Sequence, residues 1–415
     1  MRRVVVTGMG ALTPVGNTLQ DYWKGLVDGV SGAGLITHFD TTKFKTKFAC
    51  EIKGFDPANY FEKKEARKMD RFAQYAFVAA DEAIKDSKLD PEAADRDRCG
   101  VIWASGIGGI ETFFDEVKAY VTGDGTPRYS PFFIPKMISD IAAGMLSIKY
   151  GFRGPNFATV SACASSTNAL IDAYYYILLG KADVFIAGGS EAGVNIVGVG
   201  GFNSMQALST NNDEYATASR PFDVTRDGFV IGEGAGGLVL EELEHARARG
   251  ARIYAEIIGS GLTADAYHIT APHPDGMGAV NVMKQAIAEA KLTPADVDYI
   301  NVHGTSTPLG DIAETKAILS LFGEHAYKLN ISATKSMTGH LLGAAGAIEA
   351  IATVMAVVND IVPPTINFRN PDPAIDQNLN LTLNKAQHRT VKVALSNTFG
   401  FGGHNASILI RKFEE

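Results

Sequence analysis

The sequence predicts an α/β fold with mixed, largely parallel sheets. Short runs rich in β-branched residues alternate with segments of helical periodicity along the 415 residues, a pattern typical of βαβ units. With 46% hydrophobic residues, 20% charged residues and 43 glycines, the composition is that of a globular protein rather than a disordered or fibrous one. A repeated strand-to-helix pattern also suggests two similar halves.

Eight predicted strands carry the alternation. The chain between most of them has helical periodicity, so neighbouring strands are expected to run parallel and to be covered by helices. In chain order, the predicted strands are Arg3 to Thr7, Cys99 to Ala104, Asn156 to Val160, Val184 to Ala187, Gly237 to Glu241, Tyr299 to His303, Leu329 to Ala333 and Val391 to Ser396.

The internal repeat concerns two strand-to-helix junctions. Residues 157–163 lead from a strand into a helix, and residues 329–335 lead through His340 into a second helix of small residues. Unrelated βαβ units share this pattern, so the repeat suggests a duplication without establishing one. We place the boundary where a charged helix ends at a glycine, which gives halves of residues 1–250 and 251–415.

Charge, cysteine count and hydropathy exclude several classes of protein. The net charge of -8 argues against nucleic acid as the main partner, because phosphate binding needs a basic surface. Three widely spaced cysteines form neither a disulfide framework nor a zinc site, and we expect no bound metal. The apolar stretch from Leu341 to Val358 contains Glu349 and is expected to be a buried helix rather than a membrane span. We therefore expect a cytoplasmic protein.

Cys163 is the strongest candidate nucleophile. It lies between a predicted strand and a helix, where backbone N–H groups and the helix dipole favour a thiolate. Its small neighbours leave room for a substrate. A buried structural cysteine explains this segment equally well, whereas Cys50 and Cys99 lack this setting and are expected to be structural.

Two histidines and a glycine-rich turn favour chemistry at Cys163. His303 ends a predicted strand before Gly304, and His340 opens a helix. Residues 396–405 form a glycine-rich turn whose backbone N–H groups could face a developing oxyanion. A thiol, two imidazoles and an amide-lined loop are suited to acyl transfer, although a lone histidine at such a junction is more often structural.

Four motifs make the chain resemble the β-ketoacyl-acyl carrier protein synthases, most closely the bacterial synthase II type. The resemblance covers essentially the whole chain, and the motifs, in the order that the family has them, are residues 162–165, 303–308, 335–340 and 397–403. It implies the thiolase fold, with two similar halves in five αβαβα layers, usually as a homodimer. It also implies a decarboxylative Claisen condensation: an acyl chain moves to Cys163, and malonyl-acyl carrier protein loses carbon dioxide and attacks the acyl thioester. No cofactor is expected beyond the phosphopantetheine that arrives on acyl carrier protein.

The resemblance assigns expected roles to further residues. Backbone N–H groups of Cys163 and Phe401 would form the oxyanion hole, with Phe401 also a gate, and His303 and His340 would stabilise the enolate. Lys335 is expected to hold charge and hydrogen bonds around His340, with Glu349 as a possible partner, and Asp311 and Glu314 are expected in the same network. Thr305 and Thr307 are expected to bind the phosphopantetheine arm. The residues expected on the substrate side of the site are Ile107, Phe202 and Phe399.

A basic stripe is the expected docking surface for acyl carrier protein. The sequence predicts one helix face carrying the basic side chains, which are Lys63, Lys64, Arg67, Lys68 and Arg71. On an acidic protein such a stripe could attract an acidic partner. Without the resemblance, a solvated helix face is the better interpretation.

Four competing functions remain to be weighed. A thiolase needs a second cysteine in the C-terminal loop, and none follows Cys163. The initiating synthase type pairs its cysteine with one histidine and an asparagine, and a non-catalytic chain-length-factor-like subunit lacks the cysteine. A ketosynthase of a type II polyketide pathway remains an alternative. The sequence leaves open the acyl chain length and the effect of His404, where some relatives have threonine.

Overall fold

The computed structural model describes residues 2–414. The strands are β1 Val4–Leu12, β2 Gly34–Leu35, β3 Phe48–Ala49, β4 Cys99–Ala104, β5 Asn156–Phe157, β6 Val184–Glu191, β7 Gly234–Glu242, β8 Ala255–Ala264, β9 Tyr299–Asn301, β10 Asn330–Ser332, β11 Ile361–Val362, β12 Gln387–His388, β13 Val393–Gly400 and β14 His404–Lys412. The α-helices are α1 Leu19–Val27, α2 Lys63–Ala66, α3 Arg71–Ser87, α4 Ile110–Thr122, α5 Phe133–Met137, α6 Ile141–Tyr150, α7 Ser165–Leu178, α8 Ile196–Ser204, α9 Leu243–Ala248, α10 Met277–Glu289, α11 Pro308–Phe322, α12 Lys335–Thr338 and α13 Ala345–Asn359.

The strands repeat one topology twice. Within the described residues, ten strands form a sheet in the order β10-β9-β13-β14-β8-β1-β7-β6-β4-β5. Numbered within each half, both groups of five follow the order 3-2-4-5-1, and the fifth strand runs antiparallel to the other four. The groups join only where Val4–Val6 pairs with Ala255–Ile257.

Helices lie between and outside the two groups of strands. The buried helices α7 and α13 contact each other and strands of both groups, whereas α3 covers β1, β6 and β7, and α10 covers β8 and β14. These contacts give the five layers of the expected αβαβα architecture, and the predicted fold class is confirmed. The boundary at residue 250 remains a prediction, since the sheet is continuous across it.

Two strands that the sequence pattern missed lie at the centre of the sheet. Neither β8 nor β14 was among the expected strands, because polar residues and glycines interrupt their apolar pattern. The glycines of β8 permit close helix packing: a Cβ at Gly259 would lie 2.3 Å from the carbonyl oxygen of Ala286 in α10, and one at Gly261 would lie 2.1 Å from that of Val282. Glycine at these two positions of β8 therefore indicates a strand against which a helix packs closely.

The long apolar stretch is a core helix, as expected. Within the described residues, Leu342–Asn359 alone is long and apolar enough to pass a test for a membrane span, and 83% of it is buried inside the protein. Its buried position brings Glu349, which is fully inaccessible, to the back of the site described next.

Candidate active site

Cys163 lies on a sharp turn between β5 and α7. Ala162 has a left-handed φ of 51°, which costs energy for a residue with a Cβ and usually marks a functional constraint. Two hydrogen bonds hold the turn: the Ser161 N–H donates to Ser165 Oγ at 2.9 Å, and that hydroxyl donates to the Ala162 carbonyl at 2.6 Å. The thiol sits at the first turn leading into α7, as the sequence predicts.

The electrostatics of Cys163 differ from the expectation. Burial raises the pKa of the thiol to about 12, while the charge of Lys335 and the backbone N–H of Phe401 oppose that rise. The expected resting thiolate is therefore wrong, since desolvation of the sulfur outweighs the helix terminus. At neutral pH the resting nucleophile is a thiol that must lose its proton as it attacks. Burial likewise raises the pKa of Cys50 and of Cys99 to about 12.

His340 is the side chain that can receive this proton. Its Nε2 lies 3.0 Å from Cys163 Sγ, and its backbone is fixed between Val230 and Gly232 by hydrogen bonds of 2.7 and 2.9 Å. Burial and then the charge of Lys335 hold the pKa of His340 well below its ordinary value, so the imidazole is neutral. Its Nδ1 has no hydrogen-bond partner, so neither tautomer is fixed.

His303 projects from the end of β9 beside His340. The two rings are perpendicular, with centroids 5.3 Å apart. Both carboxylate oxygens of Glu314 hold the turn, accepting from the backbone N–H groups of His303 and Gly304 at 2.9 Å each. Burial, and then the charge of Lys335, lower the pKa of His303 well below its ordinary value. Both histidines are therefore neutral.

Lys335 acts on His340 through its charge, as the sequence suggested, but its hydrogen bond goes to His303, whose tautomer it fixes. Its Nζ is 3.3 Å from His303 Nδ1, and an ammonium group can only donate. His303 Nδ1 must then be the acceptor, which leaves the ring proton on Nε2. Lys335 also forms a buried ion pair with Glu349, the expected partner, whose pKa burial raises to about 7.

The two other acidic residues have separate supporting contacts. Glu314 holds His303, and burial raises the pKa of Glu314 to about 7. Asp311 instead pairs with buried Arg226 at 3.2 Å and accepts from the Phe222 and Ser306 backbone N–H groups. The two carboxylates therefore belong to separate clusters and not to the one network that was expected. Asp311, near the start of α11, faces the segment of Arg226, whereas Glu314 faces His303.

The glycine-rich turn closes over Cys163. A Cβ at Gly400 would lie 2.7 Å from the Ser161 carbonyl oxygen and 3.1 Å from the Cys163 backbone nitrogen, so glycine lets the turn approach the nucleophile. Phe401 follows, and its ring lies 6.4 Å from that of Phe202. The turn therefore stands beside Cys163 as expected.

A cavity of about 690 Å³ joins these groups. Of the expected residues, the structure brings to its wall Cys163, Phe202, His303, Thr305, Thr307, Glu314, His340, Phe399 and Phe401. The hydroxyl oxygens of Thr305 and Thr307 are 3.0 Å apart. The sequence missed Phe229, whose ring packs against His340, and Leu342; both belong to apolar runs without a local signal.

Ile107 is not part of this cavity. Its backbone N–H donates to Glu191 at 3.2 Å, and its side chain is 36% exposed. Ile107 is thus absent from the lining of this cavity, and its expected place on the substrate side stays a prediction.

The predicted basic helix face is interrupted. The helix α2 ends at Ala66, and α3 begins at Arg71 with Asp70 as its N-cap. Arg71 turns inward, with Nη1 2.8 Å from His38 Nδ1, and Lys68 pairs with Glu65 at 2.8 Å. Lys63, Lys64 and Arg67 remain exposed, so the stripe is shorter than the sequence suggested. In residues 2–414, no group of three or more His, Cys, Asp or Glu side chains is placed to hold a metal ion.

Comparison with known protein families matches both parts of the chain. Residues 1–246 match the family described as Beta-ketoacyl synthase, N-terminal domain, and residues 254–369 match Beta-ketoacyl synthase, C-terminal domain. Together these matches cover most of the chain and contain Cys163, His303 and His340.

Full-length relatives and solved structures agree with these matches. A relative from Synechocystis sp. named 3-oxoacyl-(acyl-carrier-protein) synthase 2 is 50% identical over 413 residues, which are 100% of this chain and 99% of the relative. One of the same name from Staphylococcus aureus (strain COL) is 51% identical with the same coverage. A beta-ketoacyl synthase structure from Burkholderia phymatum STM815 has a TM-score of 0.92 at 35% identity, and a type II polyketide ketosynthase in complex with its acyl-carrier protein has 0.91 at 34%, each with full coverage of both chains. The chain therefore belongs to the β-ketoacyl synthase family.

Proposed function

We propose that this chain performs the decarboxylative Claisen condensation of fatty acid elongation. An acyl chain held on Cys163 reacts with malonyl-acyl carrier protein to give β-ketoacyl-acyl carrier protein and carbon dioxide. The observation that carries the proposal is one cavity wall on which a thiol meets two neutral imidazoles, with His340 Nε2 3.0 Å from the sulfur. Full-length relatives at 50% identity named 3-oxoacyl-(acyl-carrier-protein) synthase 2 support the same reaction.

The acylation step transfers the chain from one sulfur to another. Cys163 Sγ attacks the thioester carbonyl as His340 Nε2 takes the thiol proton, and the carrier thiol leaves with that proton. Backbone N–H groups of Cys163 and Phe401 are suited to hold the developing oxyanion, because such fixed donors stabilise charge in a buried site. The unfixed tautomer of His340 lets Nε2 be an acceptor at this step.

The decarboxylation step makes the second nucleophile without a strong base. As carbon dioxide leaves, negative charge develops on the malonyl thioester oxygen, where His303 donates its fixed Nε2 proton and His340 donates from the tautomer with a proton on Nε2. The carbanion attacks the acyl carbonyl, and the thiolate released from Cys163 regains a proton from solvent. We propose that Thr305 and Thr307, which line the cavity, bind the phosphopantetheine arm and that the chemistry uses no further cofactor.

Intact-protein mass spectrometry tests the proposal with acyl carrier proteins of graded chain length. We expect each accepted chain to add one acyl mass to the protein. Cys163→Ala should take up none, because Cys163 Sγ is the only protein atom proposed to form a bond with the acyl group. Addition of malonyl-acyl carrier protein should remove the adduct and release carbon dioxide. A wild-type protein that forms no adduct would reject the mechanism and favour the non-catalytic chain-length-factor-like subunit; condensation only with polyketide starter and carrier would favour the polyketide pathway.

The shortened basic patch, Lys63, Lys64 and Arg67, is proposed to dock acyl carrier protein. Reversing two charges by Lys64→Glu with Arg67→Glu should raise the apparent KM for acyl carrier protein roughly tenfold, since patch charges steer association. Reaction with a small acyl thioester should be unchanged. The matched control reverses the exposed Lys284 and Lys291 to Glu on and just after α10, with the same change in net charge. Equal losses with both substrates, or in the control, would contradict docking here.

The assembly and location remain proposals. We propose a homodimer whose interface covers the exposed apolar side chains that follow β4, among them Phe113, Val121, Ile134 and Ile148, because large exposed apolar side chains on neighbouring segments mark association surfaces. Sedimentation at micromolar concentration should give twice the mass of the chain; a single-chain mass would contradict the dimer. We also propose a cytoplasmic location, because the only described segment apolar enough to pass a membrane-span test is 83% buried inside the protein.

A further inference from the structure

The catalytic turn has a counterpart in the other half of the protein. The turn before α13 repeats the turn before α7: Leu342 has a φ of 50° where Ala162 has 51°. Each is the first residue of a short helical turn, Ala162–Ala164 or Leu342–Ala344, that continues into a buried helix. In this correspondence Gly343 occupies the place of Cys163. The duplicated fold therefore contains two helix starts of the same geometry, and only one carries a nucleophile.

The strands beside the two turns correspond residue by residue. Both β6 and β13 have eight residues, and the last residue of each pairs with the first residue of the antiparallel fifth strand, Glu191 with Gly234 and Gly400 with His404. Glu191 thus occupies, beside the turn before α13, the position that Gly400 occupies beside Cys163. We call the space around Gly343 and Glu191 the second half-site. Glycine leaves the space next to the Cys163 N–H open for a substrate oxygen, whereas the counterpart carries a carboxylate.

The Glu191 carboxylate fills the second half-site. Its Oε2 accepts from the backbone N–H groups of Gly343 at 2.9 Å and Gly106 at 2.7 Å, and its Oε1 accepts from Ser105 Oγ at 2.9 Å and the Ile107 N–H at 3.2 Å. Glu191 is fully buried, and all four of its partners donate, so the ionised carboxylate is the form that satisfies them. Burial raises the pKa of Glu191, and the four donated hydrogen bonds oppose that rise. Gly343 N–H, the counterpart of the Cys163 N–H, is thus bound to the Glu191 carboxylate.

We propose that Glu191 is a positioning residue of the condensing site, a built-in anion that holds the Leu342–Gly343 turn and with it His340. His340 is fixed on one side by Val230 and Gly232, and the turn directly after it is fixed by Glu191. Leu342 itself lines the cavity beside Cys163. This inference rests on the proposed condensation, since it assigns Glu191 to the geometry of that reaction.

The charge of Glu191 also acts on the nucleophile. It is among the groups that raise the pKa of Cys163, so removal of this charge should make the thiol easier to ionise. Loss of position and loss of charge therefore have opposite consequences: decarboxylation becomes slower while the thiol becomes more reactive. A residue that merely supported the fold would lower both.

Glu191→Ala tests the proposal by three readouts. We expect kcat for malonyl decarboxylation to fall roughly tenfold or more, because several hydrogen bonds to a charged group are lost, with little change in KM. The pH profile of Cys163 alkylation by iodoacetamide should shift to lower pH. Formate should enter the vacated half-site and restore both properties toward those of the wild type, whereas chloride at equal ionic strength should not.

Glu82→Ala is the matched control. Glu82 is also a carboxylate that accepts from two backbone N–H groups, those of Ala11 and Leu19, at 2.8 Å each, but it lies on α3 in an outer layer. Its variant should lower thermal stability without shifting the alkylation profile or responding to formate. Should Glu191→Ala fail to fold, Glu191→Asp keeps the charge and shortens the reach, and we expect slower decarboxylation with an unshifted alkylation profile.

The outcomes separate this inference from the proposed function. Wild-type decarboxylation in a folded Glu191→Ala protein, or in Glu191→Asp when alanine does not fold, would overturn the inference, as would equal rescue by chloride and formate. A wild-type protein without decarboxylation would overturn the proposed function instead, while the alkylation profile and formate dependence of the variant would still test the occupied half-site.

Discussion

His303→Ala and His340→Ala should each lower decarboxylative condensation roughly 10²- to 10³-fold, the usual effect of removing one donor to a developing oxyanion. Cys163 should still take up an acyl group in His303→Ala at a rate near that of the wild type. The reason is geometric: His340, not His303, is 3.0 Å from the sulfur, whereas His303 Nδ1 is occupied by Lys335. The quantities to measure are carbon dioxide release and the acyl adduct by mass spectrometry.

The two histidine variants should differ in acylation. His340→Ala removes the acceptor of the thiol proton, so its adduct should form more slowly than that of His303→Ala. Asparagine at either position retains an N–H donor and should keep more decarboxylation than alanine. His388→Ala, at an exposed position on β12, is the control and should behave as the wild type. Normal carbon dioxide release by both alanine variants would contradict the roles assigned to them.

The chemistry of the site was predictable because its signals are local. Cys163 and His303 each follow a strand, and residues 397–403 contain the end of β13 and the turn after it. Each carries a reactive side chain or glycines, so their positions near the ends of strands could be expected. Side-chain pairing across the fold has no such signal. Whether Lys335 contacts His303 or His340 depends on the packing of α12 against the end of β9, and no spacing in the sequence encodes that distance.

Burial explains the errors about charge. A helix start suggested a thiolate at Cys163, but the sequence does not reveal that this residue is only 8% exposed. Desolvation is the dominant effect on the pKa of its thiol. The same reasoning applies to Arg71, which the spacing placed on a solvated face. The structure turns it toward His38 because α3 starts anew after Asp70.

Glu191 shows what only the three-dimensional repeat could reveal. In the sequence it is an acidic residue at the end of an apolar run, with no motif around it. Its counterpart Gly400 belongs to a recognisable glycine-rich turn, so the two positions look unrelated until the strands are aligned by their pairing. Equivalent positions in the two halves thus differ in function: Gly400 leaves the space beside Cys163 open to substrate, whereas the Glu191 carboxylate fills the corresponding space beside Gly343.

Gly400→Ala should lower the rate of Cys163 acylation roughly 100-fold, because loss of one oxyanion-hole donor has an effect of this size. The added Cβ would lie 2.7 Å from the Ser161 carbonyl oxygen and 3.1 Å from the Cys163 nitrogen, and backbone on both sides cannot yield as a flexible side chain would. The turn must move away, which separates the Phe401 N–H from the Cys163 N–H. Acyl transfer is measured by adduct formation over time.

Iodoacetamide distinguishes a distorted oxyanion hole from a blocked cysteine. Alkylation displaces iodide at a saturated carbon and develops no oxyanion, so Gly400→Ala should slow it far less than acylation. Gly144→Ala, in α6 where a new Cβ meets nothing within 4 Å, is the matched control and should retain both reactions. Equal slowing of alkylation and acylation would mean that the new methyl group obstructs the sulfur itself; unchanged acylation would mean that the turn beside Gly400 contributes no donor, and the open half-site would lose its assigned task.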